Sequence, residues 1–382
     1  MRKGILSSLL AFGLALQGQS PVKIGIINCL TGTQAPIGEY MSNGYKLALE
    51  DLKKQGIPVQ LVIEDDTGKP QVSMSAMEKL VTRDQVAAVV GPYSSACASA
   101  ASKLAEKYRV PLLVPVASKE EITRQNLKYV YRLSATTEDY ASILISMAQK
   151  LGKPRTMAIL NENTDFGTSG AKSAKAYAGQ VGIQVVAEEA YAAGSPDYRS
   201  TLAKIKAKNP DLVFMVSYVA DGILLMRQAR EVGLAPQAFL GAGAGFASSE
   251  FAREKAISND VFSSTQWTPD VNWPGAKDFA KRYKAAFGKD EVPYHAANAY
   301  ASLMVMAEAA AKVGGDREKL RAALDGGKWN GIMGEVQFVD YSGYTNQNHH
   351  QMLVEQIQDG KHETVWPPQY AIKKPHYPFK WK

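Results

Sequence analysis

The sequence lacks the residue patterns that most catalytic and metal sites require. None of its five histidines stands in an H-E-x-x-H motif or in another metal-ligand spacing. The chain has neither a G-x-x-x-x-G-K-[ST] phosphate-binding loop nor a G-x-S-x-G nucleophile motif. We therefore expect no catalytic residue, no metal site and no cofactor.

Basic runs and long apolar runs are also missing. The formal net charge is +7, but no Lys/Arg-rich run exists that would follow a phosphate backbone. We expect no nucleic-acid partner. The apolar stretch at residues 5–16 is shorter than the roughly 20 residues that a membrane-spanning helix needs.

Residues 1–18 have the features of a secretory signal peptide. Arg2 and Lys3 precede the apolar stretch, and small or polar residues follow it at Gly18 and Ser20. We expect cleavage after Gly18 and export of the mature protein.

Cysteine is scarce, with only Cys29 and Cys97 in the whole chain. Neither follows the signal peptide directly, so no lipid anchor at a new N-terminal cysteine is indicated. Both come after predicted strand ends in the first half of the chain, and export permits a disulfide. Two small buried thiols fit the sequence equally well, and both alternatives stay open.

Strand and helix patterns alternate over most of the 382 residues. Short apolar runs such as residues 22–27, 59–63 and 86–90 are separated by stretches with helical spacing of apolar residues. Such alternation is typical of right-handed βαβ units and a mostly parallel sheet. It begins again after residue 154, so we predict an α/β fold with two doubly wound, Rossmann-like domains.

Residues 86–118 contain two apolar runs that each end in small or hydroxyl residues. The first run is followed by Ser94 and Ser95, which open an Ala-rich helix, and the second by Val116, Ala117 and Ser118. Ligands of open α/β sheets collect at the carboxyl ends of the strands, and a helix N-terminus offers free N–H groups there. We predict that these residues form half of a ligand-binding cleft.

The second half of the chain supplies matching strand ends. Phe166 and Tyr218 each follow a predicted strand and are suited to covering an apolar ligand body. A plainer role exists for each residue: Ser95 or Ser118 as a helix cap, Tyr218 as a filler between the domains. The glycine run at residues 241–245 lacks the G-x-G-x-x-G spacing, so it is either a backbone-lined loop at a close approach or a tight turn.

Several short motifs occur along the chain in a specific order and spacing. The motifs are Thr31-Gly32, Glu64-Asp65-Asp66, Gly91-Pro92-Tyr93-Ser94-Ser95, Val114-Pro115, Asp165-Phe166-Gly167 and Tyr294-His295. In these features the chain resembles the type I periplasmic substrate-binding proteins, and among them the leucine/isoleucine/valine-binding proteins of ABC importers. The resemblance covers nearly all of the mature chain.

The resemblance implies two α/β lobes that are joined by a three-strand hinge and close on a ligand. The chain would cross between the lobes near residues 133–137, 266–268 and 342–346. The N-terminal lobe would then comprise residues 21–134 and 268–342, and the C-terminal lobe residues 135–267 and 343–382.

The resemblance also implies roles for individual residues. Ser95 and Ser118 fall on positions that hold a ligand carboxylate, and Val116, Phe166 and Tyr218 fall on other contact positions. Gly243 stands where amino-acid binders carry the acid that pairs with the ligand ammonium. Because a buried unpaired ammonium is costly, either another acid substitutes, with Asp165 or Asp221 as candidates, or the ligand lacks an α-amino group. The family disulfide positions fall near Thr67 and Ser94, so no pairing of the two cysteines is inherited.

The function expected from the sequence is solute binding for an ABC importer, without catalysis. The expected ligand is a small amino-acid-like, amide or carboxylate molecule, the expected partner is a membrane permease, and the expected state is a monomer. The alternatives are a ligand-sensing receptor of the same fold and a secreted α/β hydrolase.

Overall fold

The computed structural model describes residues 21–381. The predicted signal peptide, residues 1–18, lies outside the described residues. In the described part of the chain, strands and helices alternate from the first strand onward, as the apolar periodicity predicts.

The strands lie in two large sheets and one small hairpin. Their bounds in chain order are β1 (Val22–Asn28), β2 (Val59–Asp65), β3 (Ala88–Val90), β4 (Leu112–Val114), β5 (Val130–Arg132), β6 (Thr156–Glu162), β7 (Gln184–Tyr191), β8 (Leu212–Val216), β9 (Ala238–Gly241), β10 (Phe262–Thr265), β11 (Trp329–Gly331), β12 (Gly334–Val336), β13 (Phe338–Tyr341), β14 (Tyr344–Asn348), β15 (Leu353–Gln358) and β16 (Lys361–Trp366). Strands β11 and β12 form the small hairpin.

The helices cover both faces of the two large sheets. Their bounds are α1 (Ala35–Lys54), α2 (Pro70–Thr82), α3 (Ser95–Tyr108), α4 (Thr137–Gly152), α5 (Asp165–Gln180), α6 (Arg199–Ala207), α7 (Val219–Glu231), α8 (Ser249–Arg253), α9 (Lys255–Ser258), α10 (Ala276–Phe287), α11 (Tyr294–Val313) and α12 (Arg317–Asp325), with short 3₁₀ helices at Glu120–Ile122 and Ala244–Ala247.

Each large sheet has seven strands and a mostly parallel arrangement. The order is β13-β14-β5-β4-β3-β1-β2 in the first sheet and β16-β15-β10-β9-β8-β6-β7 in the second. The edge strand β13 is antiparallel to β14, and β15 and β16 are antiparallel to their neighbours. The strand order turns back beside the first strand of each sheet, which is the arrangement of a doubly wound fold.

Two apolar cores flank each sheet because its strands are buried on both faces. In the first lobe, α1 and α10–α12 cover one face, and α2 and α3 cover the other. In the second lobe, α4 and α5 cover one face, and α6–α8 cover the other. The predicted α/β fold with two Rossmann-like lobes is therefore confirmed.

The chain passes from one sheet to the other after β5, after β10 and after β14. The sequence placed the third passage at residues 342–346 and assigned residues 343–348 to the C-terminal lobe. In the structure β14 pairs with β5 through Gln347 and Arg132, so it belongs to the first sheet. The third passage therefore lies at residues 349–352, a few residues later than predicted.

Candidate ligand-binding site

Tight backbone packing fixes the loop between β3 and α3. Gly91 has a φ of +121°, and a Cβ atom there would lie 2.1 Å from the carbonyl oxygen of Ile27. Only glycine fits this position. The backbone therefore delivers Tyr93, Ser94 and Ser95 directly to the carboxyl end of the sheet.

The two serines that follow this turn have different environments. Ser94 is the N-cap of α3, and its side chain accepts a hydrogen bond of 3.3 Å from the backbone N–H of Cys97. The Ser95 hydroxyl accepts one of 3.3 Å from the backbone N–H of Lys119. Ser94 therefore caps the helix, while Ser95 faces the space between the lobes.

The end of β4 supplies the neighbouring wall. Val116, Ala117 and Ser118 are all buried there. The Ser118 hydroxyl donates a hydrogen bond to the phenol oxygen of Tyr140, which comes from α4 in the second lobe. Strand ends of the first lobe thus meet a helix of the second.

The second lobe contributes two aromatic rings at helix N-termini. Phe166 lies in the first turn of α5 and Tyr218 is the N-cap residue of α7. Their ring centroids are 5.4 Å apart. The backbone N–H of Ser95 donates a hydrogen bond to the Tyr218 hydroxyl, so this ring closes over the N-terminus of α3.

These side chains surround one small cavity between the lobes. Its volume is about 10 Å³, close to the space of one water molecule. The lining residues are Tyr93, Ser95, Val116, Ala117, Ser118, Tyr140, Phe166, Tyr218, Ala244 and Tyr294. The structure thus brings together six of the eight residues singled out from the sequence, and leaves Ser94 and Gly243 just outside the lining.

Gly243 lies behind this lining in a conformation that excludes a side chain. Its φ is +57° with ψ at −137°, a backbone region open almost only to glycine. A Cβ atom there would lie 3.2 Å from the ring of Tyr140. The neighbouring Ala244 lines the cavity instead.

Four lining residues were missed in the sequence: Tyr93, Tyr140, Ala244 and Tyr294. The Tyr140 oxygen accepts a hydrogen bond of 2.5 Å from Nε2 of Gln266 and another from the Tyr294 hydroxyl. The backbone N–H of Ala244 donates to the Tyr294 oxygen over 3.3 Å. Tyr93 and Tyr294 stood inside the quoted motifs, whereas no local pattern marked Tyr140.

A cleft between two doubly wound lobes, lined by strand ends and helix N-termini, matches a known family. The family model described as periplasmic binding protein matches residues 21–361. The chain belongs to this family. The resemblance predicted from the sequence is thereby confirmed, and because the family consists of binding proteins, the hydrolase alternative is set aside.

Individual relatives of this periplasmic binding protein support the assignment. It is 29% identical over 397 residues to the Leu/Ile/Val-binding protein homolog 7 of Brucella suis biovar 1 (strain 1330), which covers 97% of this chain and 99% of the relative.

Solved structures share its fold. The leucine-binding protein LivK of Thermotoga maritima aligns with a TM-score of 0.82 at 24% identity, covering 90% of this chain and 98% of that one. A solute-binding protein of an ABC transporter from Rhodopseudomonas palustris BisB5, in complex with 3,4-dihydroxybenzoic acid, aligns with a TM-score of 0.80 at 24% identity, covering 90% and 96%.

The two acids considered as substitutes at the ligand site of this binding protein point elsewhere. Asp165 forms an ion pair of 2.8 Å with Nζ of Lys119. Asp221 accepts hydrogen bonds from the backbone N–H of Gly194 at 3.0 Å and from the Tyr198 hydroxyl at 2.9 Å. No carboxylate is among the described residues that line the cavity.

A buried acid lies behind the aromatic wall. Glu162, at the end of β6, accepts hydrogen bonds from the Thr164 hydroxyl at 2.5 Å and from the backbone N–H of Tyr218 at 3.4 Å. Burial raises the pKa of Glu162 to about 8, so this carboxyl group is mostly neutral at pH 7. Glu162 is also not among the described residues that line the cavity, so it offers no direct contact to a ligand ammonium there.

The remaining expectations concern thiols, metals and membranes. Cys29 and Cys97 are both free and buried, and burial raises the pKa of the Cys97 thiol to about 12. Among residues 21–381 no group of three or more His, Cys, Asp or Glu side chains is arranged to hold a metal ion. No helix within this range is both long and apolar enough to cross a membrane.

Proposed function

We propose that this protein is the extracytoplasmic solute-binding component of an ABC importer, and that its ligand is a small carboxylate without an α-amino group. The observation that carries the ligand class is the composition of the cavity. Strand-end hydroxyls and a helix N-terminus lie on one side, aromatic rings lie on the other, and none of the described residues that line it is an acid. An ammonium buried here would have no charged partner.

The anion-holding side of the site is built from Ser95, Ser118 and the N-terminus of α3. Backbone N–H groups at a helix N-terminus favour negative charge, and hydroxyls donate further hydrogen bonds to a carboxylate. The Ser95 N–H now bonds the Tyr218 hydroxyl. When the lobes open and Tyr218 moves aside, a ligand carboxylate would accept the hydrogen bond from the Ser95 N–H in place of the Tyr218 hydroxyl.

The aromatic side of the site favours a flat apolar ligand body. The Tyr218 ring packs at a tilt against Phe166 and against Tyr93, with ring centroids 5.4 Å and 5.7 Å apart. Aromatic rings pack well with other rings in offset or edge-to-face geometry. The Rhodopseudomonas palustris protein of the same fold was solved with an aromatic acid, and this supports the same class here.

Transport requires a partner and a compartment. The family places the protein outside the cytoplasm, and the proposal adds a periplasmic location after removal of residues 1–18, a monomeric state and a membrane permease that recognises the ligand-closed form. Closure of two lobes around a ligand changes the surface that both lobes present together, which is how such a permease distinguishes the loaded protein.

A ligand screen by thermal unfolding and calorimetry tests the proposal. We expect aromatic or aliphatic carboxylates without an amino group to raise the melting temperature, with about 2.7 kcal/mol of added stability at 100 times Kd. Leucine and isoleucine are the matched amino-acid controls and should bind weakly or not at all. Tight binding of leucine, or conversion of a ligand to product, would contradict the proposal.

A further inference from the structure

The Tyr93 hydroxyl is a buried polar group at the wall of the cavity. Tyr93 lines the cavity and its side chain is only 3% exposed. Its phenol oxygen has no hydrogen-bond partner among the described residues. A buried hydroxyl that leaves water without gaining a partner costs free energy, so a partner at this position would stabilise the closed state.

Each of the other hydroxyls that line the cavity has at least one hydrogen-bond partner in the protein. Ser95 accepts from the backbone N–H of Lys119, and Tyr218 accepts from the backbone N–H of Ser95. Ser118, Tyr140 and Tyr294 bond one another, and Gln266 and the backbone of Ala244 complete this network. Among the six hydroxyls that line the cavity in the described part of the chain, only that of Tyr93 has no partner in the protein, so it can bond a ligand without giving up an existing contact.

The Tyr93 ring is held in a fixed orientation. Its centroid lies 5.7 Å from that of Tyr218 and 5.7 Å from that of His295. His295 is fully buried, and neither of its ring nitrogens has a hydrogen-bond partner within the described part of the chain. His295 belongs to α11 of the same lobe as Tyr93, so this contact orients the phenol even when Tyr218 of the other lobe moves aside. A group that is oriented in advance loses little conformational entropy when a ligand binds.

We propose that Tyr93 is a specificity-determining residue whose hydroxyl bonds a hydroxyl group of the ligand, so that the protein prefers a hydroxylated aromatic carboxylate over the same acid without the hydroxyl. This inference rests on the proposed function. A phenol both donates and accepts, as does a ligand hydroxyl, so the pair satisfies each other. A site with an unpaired buried polar group discriminates against an analogue that lacks the matching group.

Calorimetry with benzoate, 3-hydroxybenzoate and 4-hydroxybenzoate tests the inference on three proteins: wild type, Tyr93→Phe and Tyr45→Phe. Tyr45 is the matched control, because it too is a buried phenol without a hydrogen-bond partner among residues 21–381 but lies on α1 outside the cavity lining. We expect wild type to prefer at least one hydroxybenzoate by about 3- to 10-fold. In Tyr93→Phe the ratio of hydroxybenzoate to benzoate affinity should fall to about 1, because the group that distinguishes the two acids is gone, whereas Tyr45→Phe should retain the wild-type ratio.

The outcomes separate the two proposals. An unchanged preference in Tyr93→Phe, or an equal loss of affinity for all three acids, overturns the role of Tyr93 and leaves the proposed function standing. Absence of preference in the wild type overturns it as well. If wild type binds none of the three acids, this inference fails; if it binds no other carboxylate either, the proposed function fails with it. Thermal unfolding of each variant checks that the fold is intact.

Discussion

Ser95 is the residue on which the proposed carboxylate contact depends most. Its side chain is buried, lines the cavity and lies in the first turn of α3. Ser95→Ala should weaken binding of a carboxylate ligand about 10- to 100-fold, because a hydrogen bond to a charged group is worth about 1.5–3 kcal/mol. Isothermal titration with the best ligand of the screen measures this change.

Ser94→Ala provides the matched control. Ser94 caps α3 through the backbone N–H of Cys97 and does not line the cavity. Loss of an N-cap costs about 0.5–2 kcal/mol of stability, so this variant should melt earlier yet retain most of its affinity. If Ser95→Ala binds as tightly as wild type, Ser95 does not hold the ligand.

On the scale of single elements, the 3₁₀ helix at Glu120–Ile122 joins the two lobes. The Glu120 carboxylate is buried and accepts hydrogen bonds from the hydroxyls of Thr137, Ser169 and Ser173. Ser169 and Ser173 lie on α5 of the second lobe. This short helix therefore contributes contacts that exist only when the lobes are close together.

Glu120→Gln should weaken ligand binding about 5-fold without altering which ligands bind. The substitution keeps the shape but removes the charge that strengthens these hydrogen bonds, and about 1 kcal/mol of closed-state stability is lost. Glu121→Gln is the control. This neighbouring side chain is half-exposed, and its carboxylate forms a long ion pair of 3.8 Å with Nζ of Lys172. Equal affinities of the two variants would show that Glu120 does not favour closure.

Sequence patterns predict strands that have clear apolar runs, but they do not predict strands composed of polar residues. The apolar runs of β3, β4, β6 and β8 predict the sheet cores and place Ser95, Ser118, Phe166 and Tyr218 at one edge. The strand β14 was missed because its sequence, Tyr-Thr-Asn-Gln-Asn, has no apolar alternation. Gln347 is buried in this strand, where its side-chain amide oxygen accepts a hydrogen bond of 2.5 Å from Nε of the buried Arg132. A contact between residues so far apart in the sequence leaves no periodic pattern along the chain.

The cavity residues that the sequence analysis did not identify were missed for a similar reason. Tyr140 and Tyr294 lie far from residues 86–118 in the sequence, and each is placed at the cavity by its neighbours in three dimensions. Gln266, on the second passage between the sheets, orients Tyr140. A residue whose position depends on a contact 126 positions away carries no local signature.

For the molecule as a whole, a partly buried ion pair predicts how stability depends on pH. Nδ1 of His362 on β16 lies 3.4 Å from Glu291, which precedes α11 of the first lobe. Burial alone would lower the pKa of His362, but the hydrogen bond to Glu291 and the charges of Glu355 and Glu291 raise it to about 9. Since a free histidine titrates near pH 6.5, this contribution is fully present below that pH and is lost as pH rises through 9.

In His362→Gln the free energy of unfolding should therefore fall less steeply than in wild type between about pH 6.5 and 9. Summed over this range, the difference is at most about 3 kcal/mol. Urea unfolding at closely spaced pH values measures it. Glu355, which interacts with this histidine, also interacts electrostatically with Glu291, Asp270 and Glu363. Burial raises the pKa of Glu355 to about 7, so ionisation of this group lowers the free energy of unfolding between about pH 4.5 and 7. Glu355→Gln should remove the decline in that lower pH range. A slope above pH 7 that persists in His362→Gln would rule out this histidine as its source.

The interleaved order of the two sheets has a consequence for biosynthesis. Strand β14 completes the first sheet beside β5, yet it follows β5 by more than 200 residues in the chain. Until the ribosome has added these residues, β5 remains an open edge on which other strands can pair. Because neither lobe is encoded by a continuous stretch, the protein gains its native topology only when nearly the whole polypeptide is available, and shortened fragments that end before residue 348 should aggregate.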